Sequence, residues 1–138
     1  IRSGLCPLTP ETPDGEMTAF LWPVVREMIK TAVENGQNLI VEGCYLPFNW
    51  REDFQPHYLA HIRALWLVFS GDYIQNHYRD ILAHADDIEH RLEGGPALEA
   101  LLLDNEALLA GCRAHGCPYL LIDHCYPTSV TELEELLC

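Results

Sequence analysis

The chain has 138 residues, 49% of them apolar and 21% charged, which is enough apolar material for one domain with its own core and excludes disorder and collagen-like repeats. Its 21 acids against 8 basic residues give a formal charge of −13, and no basic stripe is present to hold nucleic acid or an anionic membrane surface. No apolar run approaches the roughly 18 residues a spanning helix needs.

The chain begins at Ile1, and Ile1-Arg2-Ser3-Gly4-Leu5-Cys6-Pro7 lacks the basic start, apolar stretch and small-residue cleavage site of a secretory signal. The expectation is a processed chain, or one that starts within a longer protein. Residues 1–15 read as a loop punctuated by Pro7, Pro10 and Pro13, with Asp14 as a helix cap. Apolar residues from Met17 to Val33 then recur at helical spacing, Pro23 kinks that helix or marks its first turn, and Asn35-Gly36 ends it.

Asn38-Leu39-Ile40-Val41-Glu42 is a branched apolar run that reads as a buried parallel strand. A short helix follows, and then a second run, Ala64-Leu65-Trp66-Leu67-Val68-Phe69, ends at Ser70-Gly71. Helical periodicity covers Asp72 to Leu92, Glu93-Gly94-Gly95-Pro96 breaks it with Pro96 as a first helical residue, and Ala97 to His115 forms the next helix, closed by Gly116. A third strand is expected at Tyr119-Leu120-Leu121-Ile122, and Ser129-Val130-Thr131-Glu132 opens a last acidic helix as a capping box. This alternation predicts an α/β fold, a single domain whose three-stranded parallel sheet is flanked by helices. Three strands are few for such a sheet, so an uncovered edge open to pairing with a second copy is expected.

Ligands of open parallel sheets bind beyond the carboxyl ends of the strands. There the first strand delivers Glu42, Gly43, Cys44 and Tyr45, the second Ser70, Gly71 and Asp72, and the third Asp123, His124 and Tyr126. An acid at the end of an apolar strand is desolvated unless it meets a metal, a cation or a donor, so Glu42 is either a ligand-binding acid or a loop cap. Arg63, Arg79 and Arg91 lie in or beside the second strand and its helix. Arg79 and Arg91 fall within about a third of a turn of each other, so they either clamp a polyphosphate or pair with Asp80, Asp86 and Asp87. Cys112, His115, Cys117, His124 and Cys125 form a Cys/His cluster that reads as a metal site or, since its spacing is not that of paired zinc ligands, as buried thiols behaving as small hydrophobes. All six cysteines, Cys6, Cys44 and Cys138 included, read as reduced thiols of a cytoplasmic protein. The phosphate-loop pattern G-x-x-x-x-G-K-[ST] is absent: the only lysine, Lys30, precedes Thr31, but Val24 and Ile29 occupy the glycine positions.

Several segments together resemble the P-loop kinases of the nucleoside-monophosphate-kinase type, and among them small bacterial adenylate-kinase-like proteins. These are the stretch from Pro7 to Glu16, Leu39-Ile40-Val41-Glu42-Gly43-Cys44-Tyr45-Leu46-Pro47, Asp53-Phe54, Tyr58-Leu59, Ile88-Glu89-His90-Arg91-Leu92 and Asp104-Asn105. The resemblance implies transfer of the γ-phosphoryl of ATP, with Mg²⁺, to a nucleotide or another small acceptor. It places Glu42 near Mg²⁺ or the acceptor, and Tyr45, Asp53, His57 and Arg63 around the acceptor. Arg79 and Arg91 become lid-side cations in a helical region spanning 71–115, and Asp123 lies on the nucleotide side. Family members begin with a strand and a phosphate loop, which this sequence lacks, so these residues alone are expected neither to bind ATP tightly nor to turn it over. The rival expectations are a non-catalytic remnant that self-associates and a Cys/His metal-binding protein.

Overall fold

A computed structural model describes residues 8–9, 12–85, 87 and 95–127. The chain divides into two compact units between Ile62 and Arg63.

The first unit is organised by helix α1, Asp14–Glu34. Asp14 is its first helical residue rather than its cap: Pro13 holds the cap position with no side-chain bond, and Asp14 and Glu16 place negative charge at the positive end of the helix dipole. The helix continues through Pro23, so that proline does not mark the first turn. It ends where Gln37 N–H reaches Ala32 O at 2.8 Å and Gly36 N–H reaches Val33 O at 3.1 Å. This closure needs a left-handed residue, and Gly36, at φ +62°, supplies it.

Every fourth residue of α1 from Trp22 to Glu34 engages the segment that follows. That segment is a 3₁₀ turn, Trp50–Asp53, leading into a one-turn helix α2, Pro56–Leu59. Trp22 Nε1–H donates to Asp53 Oδ2 at 2.7 Å. Arg26 Nη1 stands 3.7 Å from Asp53 Oδ1. Lys30 Nζ lies over the Tyr58 ring, and the Tyr58 hydroxyl donates to Glu34 Oε1. The facing segment answers with its own fourfold spacing: Phe54 meets Trp22 and Trp50 edge-on, both at 6.0 Å between centroids, and Tyr58 at 6.3 Å. Edge-to-face pairs of this kind add about 0.5–1.5 kcal/mol each beyond the area they bury. Trp22, Trp50 and Phe54 are all buried.

Between these elements the run 38–42 forms no regular element and joins no sheet among the described residues, and Ile40 is 92% exposed. The expectation of a three-stranded sheet is therefore corrected to two strands. Apolar composition makes a strand only where a ladder partner is available, and the described sheet pairs β1, Trp66–Phe69, with β2, Tyr119–Ile122, alone.

In the second unit these strands are parallel, with Trp66 opposite Tyr119 and Phe69 opposite Ile122. A parallel pair needs a long crossover. Among the described residues it contains α3, Gly71–Ala83, and α4, Leu98–His115. Ser70 starts α3 by accepting the Tyr73 N–H on its hydroxyl at 3.0 Å. The predicted helix to Leu92 stops at Ala83, and its backbone already breaks at His77 (φ −116°, ψ 15°). Residues 88–94 lie outside the described ones, as does the expected last helix from Ser129. Pro96 precedes α4 instead of opening it, because Ala97 takes the cap position. Gly116 closes α4 at φ +64°, as expected. Val68, Ile74 and Cys112 are fully buried, Ile122 nearly so.

One side chain ties helix to sheet. Asn105 Oδ1 accepts the Phe69 N–H at 3.0 Å, while its Nδ2 donates to Leu101 O at 3.0 Å within α4. Asn105→Leu is expected to lower stability by about 1–3 kcal/mol, since it strands a half-buried backbone donor, and Ser70→Ala by about 1 kcal/mol through loss of the cap. Denaturant midpoints of the two variants check both the sizes and their order.

In the first unit, donation to Glu34 holds the Tyr58 phenol above its usual range. A raised folded-state pKa means that the contribution is complete below the unfolded value, about 10, and disappears as pH rises through the folded value. The stability gap between the wild type and Tyr58→Phe should accordingly be constant near neutrality and close above about pH 10, as measured by urea unfolding followed through tryptophan fluorescence.

Candidate functional site

The carboxyl end of β1 opens on a cavity of about 430 Å³ lined by Phe69, Ser70, Gly71, Asn105, Glu106 and Leu121, with Ile74, Leu102 and Leu109 behind them. The strand ends there because Ser70 and Gly71 turn directly into α3. The lining is mainly apolar, with Ser70, Asn105 and Glu106 its polar members. Beside it runs an aromatic ladder. Phe69 stacks on Tyr73 at 5.1 Å with the rings 13° apart, and Tyr73 stacks on His77 at 4.5 Å. Tyr126, beyond β2 and half exposed, closes on Phe69 at 6.4 Å. Ser70 Oγ accepts the Tyr73 N–H, and no base is paired with it among the described residues.

The structure distributes the sequence-predicted residues over both units. Glu42 is exposed and forms no hydrogen bond or ion pair with another described residue. The expected desolvation fails for a simple reason: the strand that was to bury it is not formed. Tyr45 is half-buried, and that burial, followed by the neighbouring Cys44, pushes its phenol above the ordinary range. Asp53 is occupied by Trp22 and Arg26. His57 is exposed with its ring tilted against Tyr58 at 4.0 Å.

Arg63 is exposed at the start of the second unit. Arg79 is exposed on α3 and unpaired with any described residue, whereas Asp80, its expected partner, faces His77 Nδ1 at 3.3 Å. Asp87 likewise pairs with His84 at 2.6 Å. Arg91 and Asp86 lie outside the described residues. Asp123 pairs with His124 at 3.3 Å just past β2.

Of the Cys/His cluster, Cys112 and Cys117 are buried, while His115, His124 and Cys125 are exposed. No group of three or more His, Cys, Asp or Glu side chains could hold a metal among the described residues. No described helix is long and apolar enough to cross a membrane.

Of the cavity's lining only Ser70 and Gly71 were among the sequence candidates; Phe69, Asn105 and Glu106 were missed along with its aliphatic residues. Asn105 carried a signal of its own, an amide inside a leucine-rich helical run. Such a residue in a helix interior is destabilising unless its side chain has a partner.

Asp53 separates two roles for a conspicuous acid. If it fastens the 50–59 segment to α1, Asp53→Ala should cost about 1–3 kcal/mol, the usual penalty for orphaning a part-buried donor such as the Trp22 indole N–H. A chemical-denaturation midpoint equal to that of the wild type would return Asp53 to a purely ligand-facing role.

No family model matches the chain, and no match was found among curated proteins or solved structures.

Proposed function

We propose that the chain is the acceptor- and lid-side portion of a small-molecule phosphotransferase of the P-loop kinase type, with a nucleotide or another small acceptor as substrate. The observation that supports this reading best is the succession β1–α3–α4–β2 with its cavity and aromatic ladder at the carboxyl end of the sheet, where such enzymes bind nucleotides. The sequence segments from Leu39 to Pro47 and from Ile88 to Leu92 support it independently.

In this reading the second unit acts by itself: Arg79 and Arg91 neutralise phosphoryl charge, Asp123 and Tyr126 flank the nucleotide, and Arg63 serves the acceptor. Chemistry of this type is positioning and charge neutralisation, which needs arginines rather than a protein nucleophile.

The residues present do not fit the triphosphate and Mg²⁺ by themselves. The 138 residues contain no phosphate loop, and Lys30 is bound to Glu27 at 3.0 Å on α1. Phosphoryl transfer would require a phosphate loop that these residues do not supply.

A second reading, association of a non-catalytic remnant with another copy, draws on the sheet edges that no described strand pairs with and on half-exposed Leu67 and Leu121.

Titration of the chain with Mg·ATP and with AMP, followed by backbone amide NMR, distinguishes the readings. Weak binding, with shifts concentrated at residues 69–72 and 123–126, is the expected result. Shifts confined elsewhere, or none at millimolar nucleotide, would overturn the proposal, and a concentration-dependent dimer in the same samples would favour the remnant. ADP production by this chain alone would refute the requirement for an added phosphate loop.

A further inference from the structure

The end of α4 is closed by a backbone bond from Cys117 N–H to Cys112 O at 2.9 Å, six residues apart counting both ends, with Gly116 left-handed between them. Closures of this kind bring the side chains of the two bonded positions into contact, and apolar residues usually occupy both. At the end of α1 the equivalent positions are Ala32 and Gln37. Here both are cysteines, turned inward: Cys112 is fully buried and Cys117 is 8% exposed. Both are thiols in this structure. Cys117 lies near enough to act electrostatically on Cys112, whose thiol is held above its usual range first by burial and then by that neighbour.

We infer that Cys112 and Cys117 form a reversible disulfide that fastens the last turn of α4 to the residue pair leading into β2. A disulfide needs α-carbons about 4.4–6.8 Å apart, a spacing compatible with a six-residue backbone closure, so neither element has to move far. The oxidant class is a low-molecular-weight disulfide. The Cys117 thiol, the more accessible of the two, loses its proton and attacks one sulfur of the oxidant, breaking that S–S bond and releasing one small thiol. Cys112 then loses its proton and attacks Cys117 Sγ, forming the internal bond and expelling the second small thiol. Two protein thiols and one small disulfide give one protein disulfide and two small thiols. The two electrons pass from the protein to the oxidant, and reduced small thiol reverses the process.

The bond would act on the crossover itself. Pro118, next to Cys117, accepts the Trp66 N–H at 3.1 Å at the start of the β1–β2 ladder, so the clamp ties α4 to the first rung of the sheet. Burial of Cys112 makes the exchange slow and restricts it to a two-step route through Cys117.

The test equilibrates the full chain at graded ratios of oxidised to reduced glutathione, traps remaining thiols by alkylation and maps the tryptic peptides by mass spectrometry. Cleavage after Arg113 separates the two cysteines. The expected result is two peptides joined by one disulfide, about 2 Da lighter than the sum of the same peptides with those two thiols free, which fragment-ion sequencing assigns to Cys117 rather than to Cys125 or Cys138 of the same tryptic peptide. Cys112→Ser should stop at a glutathione adduct on Cys117, and Cys117→Ser should leave Cys112 unmodified. If Cys112 and Cys117 in the wild-type chain remain thiols at ratios that fully modify exposed Cys44 and Cys125, the inference is overturned. It also fails if Cys117 pairs first with a different cysteine. The wild-type readout stands even where a serine variant fails to fold.

Discussion

Two parallel strands cannot be joined by a tight turn, and the second unit is arranged around that constraint. With Trp66–Phe69 laid beside Tyr119–Ile122 in the same direction, residues 70–118 must leave one end of the sheet and return to the other. Their route explains the features that line the cavity. The strand stops at Ser70 because a capped helix begins there, and α4 can return over β1 because Asn105 reaches back to the Phe69 N–H. Gly116 reverses the chain into β2. Removing the parallel pairing would leave none of these residues a reason to be where it is.

The first unit follows a different rule, one of matched spacing. Trp22, Arg26, Lys30 and Glu34 recur every fourth residue on α1, and Trp50, Phe54 and Tyr58 do the same on the facing segment. A helix presents such a row along one face, so the contacts form a ladder from Asp53 to Glu34. Polar groups sit at its margins and rings at its centre, which is how a short segment with little regular structure becomes ordered against one helix.

Where the physics was local, the sequence could be read well. Pattern and punctuation located α1, α4, both strands and the glycine stops at Gly36 and Gly116 within a residue or two. It failed where an element depended on a partner. Leu39, Ile40 and Val41 have the composition of a strand, but a strand is a relation between two segments. Glu42 lost its expected burial with that relation. Periodicity carried the helix after Ser70 past its end at Ala83, because His77 and His84 interrupt the backbone without disturbing the apolar spacing. Asp53 was expected on the acceptor side only through the family resemblance, and it took the three-dimensional placement of Trp22 and Arg26 to reveal its structural use. The cavity was half-legible: the end of β1 was the right place to look, but Glu106 reaches it from a helix 36 residues further along the chain than Ser70.

The fourfold register of the first unit also bears on how this sequence can change over evolutionary time. A single residue inserted between Trp22 and Glu34 would rotate everything after it by about 100° and carry part of the row away from its facing rings. The same insertion in the 35–49 connection would shift neither row against itself and would add only a little loop entropy. Length variation among descendants of this chain should therefore collect between the two rows, while the rows themselves accept substitutions but not changes of spacing.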